Sequence, residues 1–259
     1  MNGWLFKEIR HHWYLFLAAV LIPVFFRCLS VFMMFSVSGK EHYTLKECFQ
    51  DLCDPVMIVL QTGMLIFAYL LFGLFLQDLF LRDEVKNWGY FVMTTPDGVK
   101  RFLYMKYVIL FLLCSVFFVS FYLTESALQT VAYLVSSCEM MSLSALGVMM
   151  FFLQLLLRSL DYPGVVRFGT MVGVKIKLWA VAGLLAAAGI WLLFGPLPEH
   201  LVSFFDWLGK TEVRFLAGEY GEQTALVLSL LPPVSLILFC CSYRLSCRLY
   251  RKGVEGYGK

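Results

Sequence analysis

The chain has 259 residues, of which 60% are hydrophobic, 17% aromatic and only 15% charged. A soluble domain averages about 25% charged residues, so most of this chain is predicted to lie in lipid. The formal net charge of +3 is small and the basic residues form no stripe, which argues against binding to nucleic acid. These features predict an all-α membrane protein.

The N-terminal residues 1–13 are predicted to form an amphipathic elbow helix on the cytoplasmic membrane surface. Its apolar residues can share one side: Trp4, Leu5 and Ile9. Its charged residues are expected to face water: Lys7, Glu8 and Arg10. The alternative interpretation is that these residues are only the frayed start of the first span.

Six apolar stretches follow along the chain. Each is close to the ~20 apolar residues that a helix needs to cross a bilayer core of ~30 Å. The stretches are Tyr14–Val37, Val56–Phe80, Tyr107–Leu123, Met140–Leu157, Leu178–Pro196 and Ala225–Tyr243. We therefore expect a six-helix transmembrane domain over residues 14–250, followed by a tail over residues 251–259.

The basic residues are sorted between alternate sides of these spans. Of the 21 lysines and arginines, 16 fall in the N-terminus, the loops 81–106 and 158–177, and the tail from Arg244. Cytoplasmic loops of membrane proteins carry the excess of basic residues. Both termini are therefore predicted to be cytoplasmic in a multi-pass plasma-membrane protein, with the acidic segment 197–224 outside as one or two short helices.

The first span contains one charge, Arg27. A charge deep in a bilayer costs roughly 2.5–3.5 kcal/mol on insertion scales, so it needs an explanation. One interpretation is that the side chain snorkels to the outer surface. The other is that it faces a polar translocation path. The candidate residues for such a path are Arg27, Gln61, Thr62, Gln77, Asp78 and Gln154.

The inner loop 81–106 is the most distinctive segment. Residues 82–93 are predicted to form an amphipathic helix that is too short and too charged to span a membrane. Thr95 suits an N-cap and Pro96 the first position of a new helix, which would run into the third span. That helix is expected to hold three basic residues at the lipid headgroups: Lys100, Arg101 and Lys106.

The boundary of the third and fourth spans depends on a few local signals. The third span is expected to be long and tilted, or broken at Thr124-Glu125, with Glu125 external in either case. The capping-box spacing of Ser136 to Glu139 favours a fourth helix that begins near Ser137. The sequence from Asp161 to Gly164 predicts a turn on the cytoplasmic side of the membrane. A disulfide among Cys48, Cys53 and Cys138 is left open by the sequence.

The inventory of reactive groups predicts no catalytic site and no metal site. The chain has neither a phosphate-binding Gly-x-x-x-x-Gly-Lys-Ser/Thr loop nor a His-Glu-x-x-His motif, and its cysteines and histidines lack metal-ligand spacing. We therefore expect a protein that is not an enzyme, that binds no cofactor itself and that takes energy from a partner.

In its layout, over nearly the whole length, the chain resembles a permease subunit of the type-2, exporter-like class of ABC transporters. The likeness is carried by the elbow helix, the six spans with both ends inside, the inner helix between spans two and three, and the segment 197–224 before the last span. It is carried also by Thr94-Thr95-Pro96 and the basic residues after it, which are similar to that family's start of the third span. The family's acidic–glycine coupling pattern is present loosely, as Asp83-Glu84 followed by Gly89.

The resemblance implies partners and site residues. A separate ABC ATPase subunit, which carries the ATP, would dock on the inner helix, and a second permease copy or homologue would complete the path in the lipid bilayer. The implied ATPase-coupling residues are Arg82, Asp83, Glu84, Lys86, Asn87, Trp88, Tyr90 and Phe91. The setting implied is a bacterial plasma membrane, and the activity is export.

Two other classes stay open at this point. One is the six-span substrate-binding membrane component of a vitamin-type importer, which needs an outward-facing pocket. The other is a non-transporting membrane scaffold that recruits partners.

Overall fold

A computed structural model describes residues 2–37, 55–79, 92, 94, 98–136, 142–169, 183 and 222–254. This part of the chain is helical and contains no strand. Its helices are α1 (Asn2–His11), α2 (Trp13–Val37), α3 (Pro55–Phe75), α4 (Gly98–Ser136), α5 (Ser144–Phe168) and α6 (Glu222–Val254). The all-α prediction is therefore confirmed for the described residues.

Four of these helices are long and apolar enough to cross a membrane. The qualifying stretches are Trp13–Met33, Gly98–Ser136, Ser144–Phe168 and Ser229–Tyr250. The apolar stretch of α3, Leu60–Phe75, is shorter and is not one of these four. A membrane location fits these helices, and the count of six spans stays a prediction.

The long helix α4 is the centre of the described fold, because α1, α2, α5 and α6 all pack against it. Its 39 residues extend about 58 Å at 1.5 Å per residue, which exceeds a bilayer core of ~30 Å. The helix runs through Thr124 and Glu125 without a break. Of the two forms expected for the third span, the long continuous helix is therefore the one found.

Aromatic side chains fill the contact between α3, α4 and α5. The ring of Phe117 lies 4.5 Å from that of Phe72 and 4.6 Å from that of Tyr69, measured between centroids. The hydroxyl of Tyr69 donates to the carbonyl of Gly147 at 3.0 Å. Such ring pairs add about 0.5–1.5 kcal/mol to the burial of their apolar area, and the hydroxyl bond fixes α5 beside α3.

A second aromatic contact joins α6 to the bundle. The hydroxyl of Tyr107 lies 2.7 Å from the hydroxyl of Ser242 and 2.8 Å from that of Ser246, one helical turn away. Its ring contacts Tyr162 on α5 and Phe239 on α6. Because all three hydroxyls are buried, these hydrogen bonds are needed to offset the loss of water.

The outward surfaces of the long helices are apolar. A soluble protein rarely exposes so many large apolar side chains in continuous stripes, and lipid is the solvent that suits them. Examples with more than half of their surface exposed are Phe25, Phe32, Phe67, Leu70, Leu74, Leu123, Leu160 and Ile237.

Two local predictions about α5 are wrong. The helix begins at Ser144 rather than near Ser137, and it continues through residues 161–164, where a turn was predicted. It ends at Phe168 and is capped by Gly169, whose positive φ of 83° suits glycine and whose N–H donates to the carbonyl of Val165. Tertiary packing explains the missed turn, because Tyr162 is buried against Tyr107 and holds this stretch in the helix.

Several predictions fall outside the described residues. They include the fifth span apart from Gly183, residues 197–221 of the outer segment, and most of the inner loop 81–106 before Gly98. The three outer cysteines also lie there: Cys48, Cys53 and Cys138.

Candidate functional site

Four structural elements meet at the side chain of Lys106. Its ammonium group donates to a carboxylate oxygen of Glu8 at 2.7 Å and to the backbone carbonyl of Leu79 at 2.9 Å. It also lies 3.3 Å from Nε2 of His12. We call Glu8, His12, Lys106 and the carbonyl of Leu79 the Lys106 cluster. It joins α1, the residue between α1 and α2, the segment just after α3 and the first part of α4.

The Lys106 cluster is enclosed by protein. Lys106 is 0% exposed and Glu8 2%. Burial raises the pKa of the Glu8 carboxyl, but the hydrogen bond from His12 and the charge and hydrogen bond of Lys106 outweigh burial and lower this pKa to about 2. The carboxylate is therefore ionised at neutral pH, and it balances the buried charge of Lys106.

Two sequence expectations are wrong at this cluster. Glu8 was expected to face water and Lys106 to lie at the lipid headgroups, yet both are buried and paired with each other. Helix geometry explains the outcome. Glu8 and His12 are four residues apart, so they lie on one side of the chain, and that side packs against α4.

A second buried ion pair lies farther along the same helices. Nη1 of Arg27 on α2 donates to Oε1 of Gln61 on α3 at 2.9 Å. Nη2 forms an ion pair with the carboxylate of Glu125 on α4. Arg27 is 3% exposed and Glu125 1%. These three residues, with Gln129 and the backbone N–H of Leu143, form the Arg27 cluster.

Glu125 also contacts the residue that precedes α5. Its Oε1 accepts from the backbone N–H of Leu143 at 3.3 Å and from the amide of Gln129 at 3.5 Å. The carboxylate is thus satisfied on both oxygens. The snorkelling interpretation of Arg27 is wrong, because its side chain pairs with Glu125 inside the bundle. That Glu125 lies towards the external side of the membrane stays a prediction.

The spacing of the two clusters matches the thickness of a bilayer. Lys106 and Glu125 are 19 residues apart on α4, which is about 28 Å along a helix, against ~30 Å for a hydrocarbon core. The segments between the clusters carry no charge in any of the three helices: residues 13–26, 62–77 and 107–124. The clusters therefore lie at the two ends of one uncharged slab.

A third polar contact brings α5 against α3. Arg158 donates from Nη2 to the carbonyl of Gly73 and from Nη1 to Oδ2 of Asp161 at 3.2 Å. A Cβ on Gly73 would meet Nη2 of Arg158 at 2.7 Å and Nε2 of Gln154 at 2.9 Å. Glycine is thus the residue that lets these polar side chains reach the α3 backbone. Arg158 was assigned to an inner loop from the sequence, and it lies within α5 instead.

The structure divides the candidate translocation-path residues among separate places. Arg27 and Gln61 contact each other in the Arg27 cluster. Gln154, on α5, is buried beside Gly73 of α3. Thr62 is half-buried on α3. Gln77 and Asp78 are half-buried after the end of α3. Whether these residues line a path stays a prediction.

The implied ATPase-coupling residues lie outside the described part of the chain: Arg82, Asp83, Glu84, Lys86, Asn87, Trp88, Tyr90 and Phe91. Between Leu79 and Gly98 only Val92 and Thr94 are described. Val92 is fully buried and Thr94 is exposed. Among the described residues, no group of three His, Cys, Asp or Glu side chains could hold a metal ion.

Sequence reasoning missed both ion pairs, although each left a signal. A charge within an apolar stretch requires a partner of opposite sign on a neighbouring helix. Arg27 and Glu125 are such a pair, and each has a long uncharged stretch on one side. Glu8 and Lys106 gave a weaker signal, because a surface helix and a loop end are ordinary places for charges.

Comparison with known proteins gives no relative for this chain: no family model, curated protein or solved structure matches it.

Proposed function

We propose that this chain is the membrane-spanning permease subunit of an ATP-driven transporter of the type-2 ABC class, working as an exporter. A separate ATPase subunit would bind and hydrolyse ATP, so the chain itself is not an enzyme and binds no cofactor. In this proposal it spans the plasma membrane of a bacterium six times, with both termini in the cytoplasm, and it pairs with a second copy or a homologue.

The observation that carries the proposal is the position of the Lys106 cluster. Leu79 lies where α3 gives way to the loop, and Lys106 lies in the first turns of the helix that follows the loop. The cluster therefore ties together both ends of the segment on which the ATPase is proposed to dock. It also ties that segment to α1 and α2.

This arrangement suits the transmission of force. Separating a buried charge from its partner costs about 3–5 kcal/mol, so the elements held by Lys106 resist moving apart. A motor that displaces the inner loop would move α2, α3 and α4 together at their inner ends. The exposed apolar surfaces of these helices are free to slide in lipid while this happens.

The ATPase pairing is tested by charge reversal in the inner loop. We propose co-expressing the chain with an ABC ATPase from the same genome and measuring co-purification and ATP turnover. The double variant Asp83→Lys/Glu84→Lys should lose most of the co-purified ATPase while the permease still elutes as a folded species. The matched control is Glu139→Lys, which reverses an acid that is predicted to lie on the opposite side of the membrane.

The outcome of this co-purification test distinguishes a transporter permease from a scaffold. Full ATPase recovery with Asp83→Lys/Glu84→Lys would contradict the docking surface. A chain that neither binds nor stimulates an ATPase in the wild-type form would contradict the transporter itself, and it would favour a scaffold.

A further inference from the structure

A two-residue turn interrupts the helical chain at the C-terminal end of α3. Leu76 and Gln77 form this turn, and the chain is helical again at Asp78 and Leu79. Residues 74–79 include no glycine and no proline, and leucine and glutamine are both good helix formers. The local sequence therefore does not account for the break, and a contact with another helix has to supply the cause.

That contact is made by the guanidinium group of Arg158 on α5. In an uninterrupted α-helix the N–H of residue 77 would donate to the carbonyl of residue 73. Here Nη2 of Arg158 donates to the carbonyl of Gly73. The N–H of Gln77 donates instead to the carbonyl of Leu74, at 3.1 Å. A side chain that inserts into the i to i−4 hydrogen-bond ladder bends a helix in this way.

A second cation holds the chain on the other side of the turn. Nζ of Lys106 on α4 donates to the carbonyl of Leu79 at 2.9 Å. Both cations are enclosed by protein, since Lys106 is fully buried and Arg158 is 8% exposed. The chain before the turn is thus attached to α5 at Gly73, and the chain after it is attached to α4. A movement of α4 relative to α5 would be taken up between these two attachments.

We propose that the Leu76-Gln77 turn is a hinge at the end of α3, held in its bend by Arg158. The carbonyl of Gly73 has two donors within reach of the chain, the guanidinium of Arg158 and the N–H of Gln77. With the first donor the segment is bent, and with the second the α-helical ladder closes. The negative end of the helix macrodipole favours a cation at this position, which stabilises the bent form.

The hinge deepens the proposed function, and only its use in transport rests on that function. A motor that displaces the inner loop would carry the chain after the turn along with α4, through Lys106. The body of α3 would stay with α5, through Arg158. The bend absorbs the difference, so α3 does not have to move as one rod. The hinge itself belongs to this chain alone and is tested without an ATPase.

The test is hydrogen–deuterium exchange of the full-length protein in mild detergent, read by mass spectrometry. In Arg158→Met the carbonyl of Gly73 loses its charged donor, so the segment should interconvert between the bent and the closed form. Peptides covering residues 74–79 should then exchange faster by roughly tenfold or more, as expected for the loss of a hydrogen bond to a charged group. Peptides from residues 60–72 of α3 should be unchanged. The matched control Arg158→Lys keeps a cation and should keep most of the protection.

Gly73→Ala tests the same hinge without removing the charge. Its Cβ would lie 2.7 Å from Nη2 of Arg158 and displace the guanidinium, whereas the Cβ of the control Gly63→Ala meets no atom within 4 Å. Exchange of residues 74–79 should rise in Gly73→Ala and stay at the wild-type rate in Gly63→Ala.

Two outcomes would overturn the proposal. The first is unchanged exchange of residues 74–79 in either Arg158→Met or Gly73→Ala. The second is an equal acceleration over α3, α4 and α5, because Arg158 would then stabilise the whole bundle rather than one hinge. A failed hinge leaves the ATPase test unaffected, and a failed ATPase test leaves the exchange rates to be measured on the chain alone.

Discussion

The Arg27 cluster and the Lys106 cluster solve the same physical problem in different ways. Each places a buried cation of one element against a buried carboxylate of another. In the Arg27 cluster the two charges belong to long helices, α2 and α4, and neutral amides supply the other contacts. In the Lys106 cluster the carboxylate comes from the short helix α1, and a histidine is the third member.

The two clusters differ in how far each buried charge depends on a single partner. Arg27 and Glu125 have only each other as charged partners in the contacts described, so neither can lose its partner cheaply. Glu8 has two nitrogen partners, and it lies beside the predicted inner loop. We infer that the Arg27 cluster fixes one end of α2, α3 and α4, while the Lys106 cluster links their opposite ends to α1.

The largest effect is expected from Glu125→Ala. This change leaves Arg27 buried without its counter-charge and leaves the N–H of Leu143 without its acceptor, so the free energy of unfolding should fall by about 3–5 kcal/mol. Denaturant unfolding in mixed micelles measures it. The control is Arg27→Met/Glu125→Leu, which removes both charges and should be much closer to the wild type. Equal losses in the two variants would show that the pair itself is not what matters.

Lys106→Met should cost less, about 2–3 kcal/mol, mainly from the unmet acceptors Glu8 and the carbonyl of Leu79. His12 remains within 3.5 Å of Glu8 and keeps part of the interaction. The same unfolding assay compares this variant with Glu125→Ala. If Lys106→Met proves the more damaging of the two, the proposed ranking of the clusters is reversed.

These two ion pairs mark the limit of what the sequence predicts here. The amphipathic pattern predicted α1, and the length of the apolar run predicted α2 closely. It could not give the partner of Arg27 or of Lys106, since pairing depends on which helices become neighbours. The turn predicted at Asp161 to Gly164 failed for the same reason, because contacts of Tyr162 and Arg158 with other helices override local preference.

Acid should weaken the Lys106 cluster selectively. The pKa of Glu8 is lowered from its ordinary 4.5 to about 2, so its contribution is complete above about pH 4.5 and is lost as the pH falls through 2. Between pH 6 and pH 3 the wild type should lose about 2 kcal/mol more stability than Glu8→Gln, which cannot titrate. Parallel pH profiles of the two proteins would refute the assigned role of Glu8.

The smallest expected effect concerns the contact between α3 and α5. Gly73→Ala places a methyl group against Arg158 and Gln154 and should cost about 1–2 kcal/mol through overpacking. Gly63→Ala is the matched control on the same helix, because no atom lies within 4 Å of the added Cβ. It should be neutral or stabilising by up to about 1 kcal/mol. A neutral Gly73→Ala would mean that α5 does not approach α3 so closely.

The most direct test of the account is which side of the membrane the loop beside the Lys106 cluster faces. In a cysteine-free background, Tyr90→Cys and Glu139→Cys would each be exposed to a membrane-impermeant thiol reagent in intact cells. We predict that Glu139→Cys reacts in intact cells, whereas Tyr90→Cys reacts only after the cells are permeabilised. Ready labelling of Tyr90→Cys from outside intact cells would contradict the account, because no cytoplasmic motor could then reach that loop.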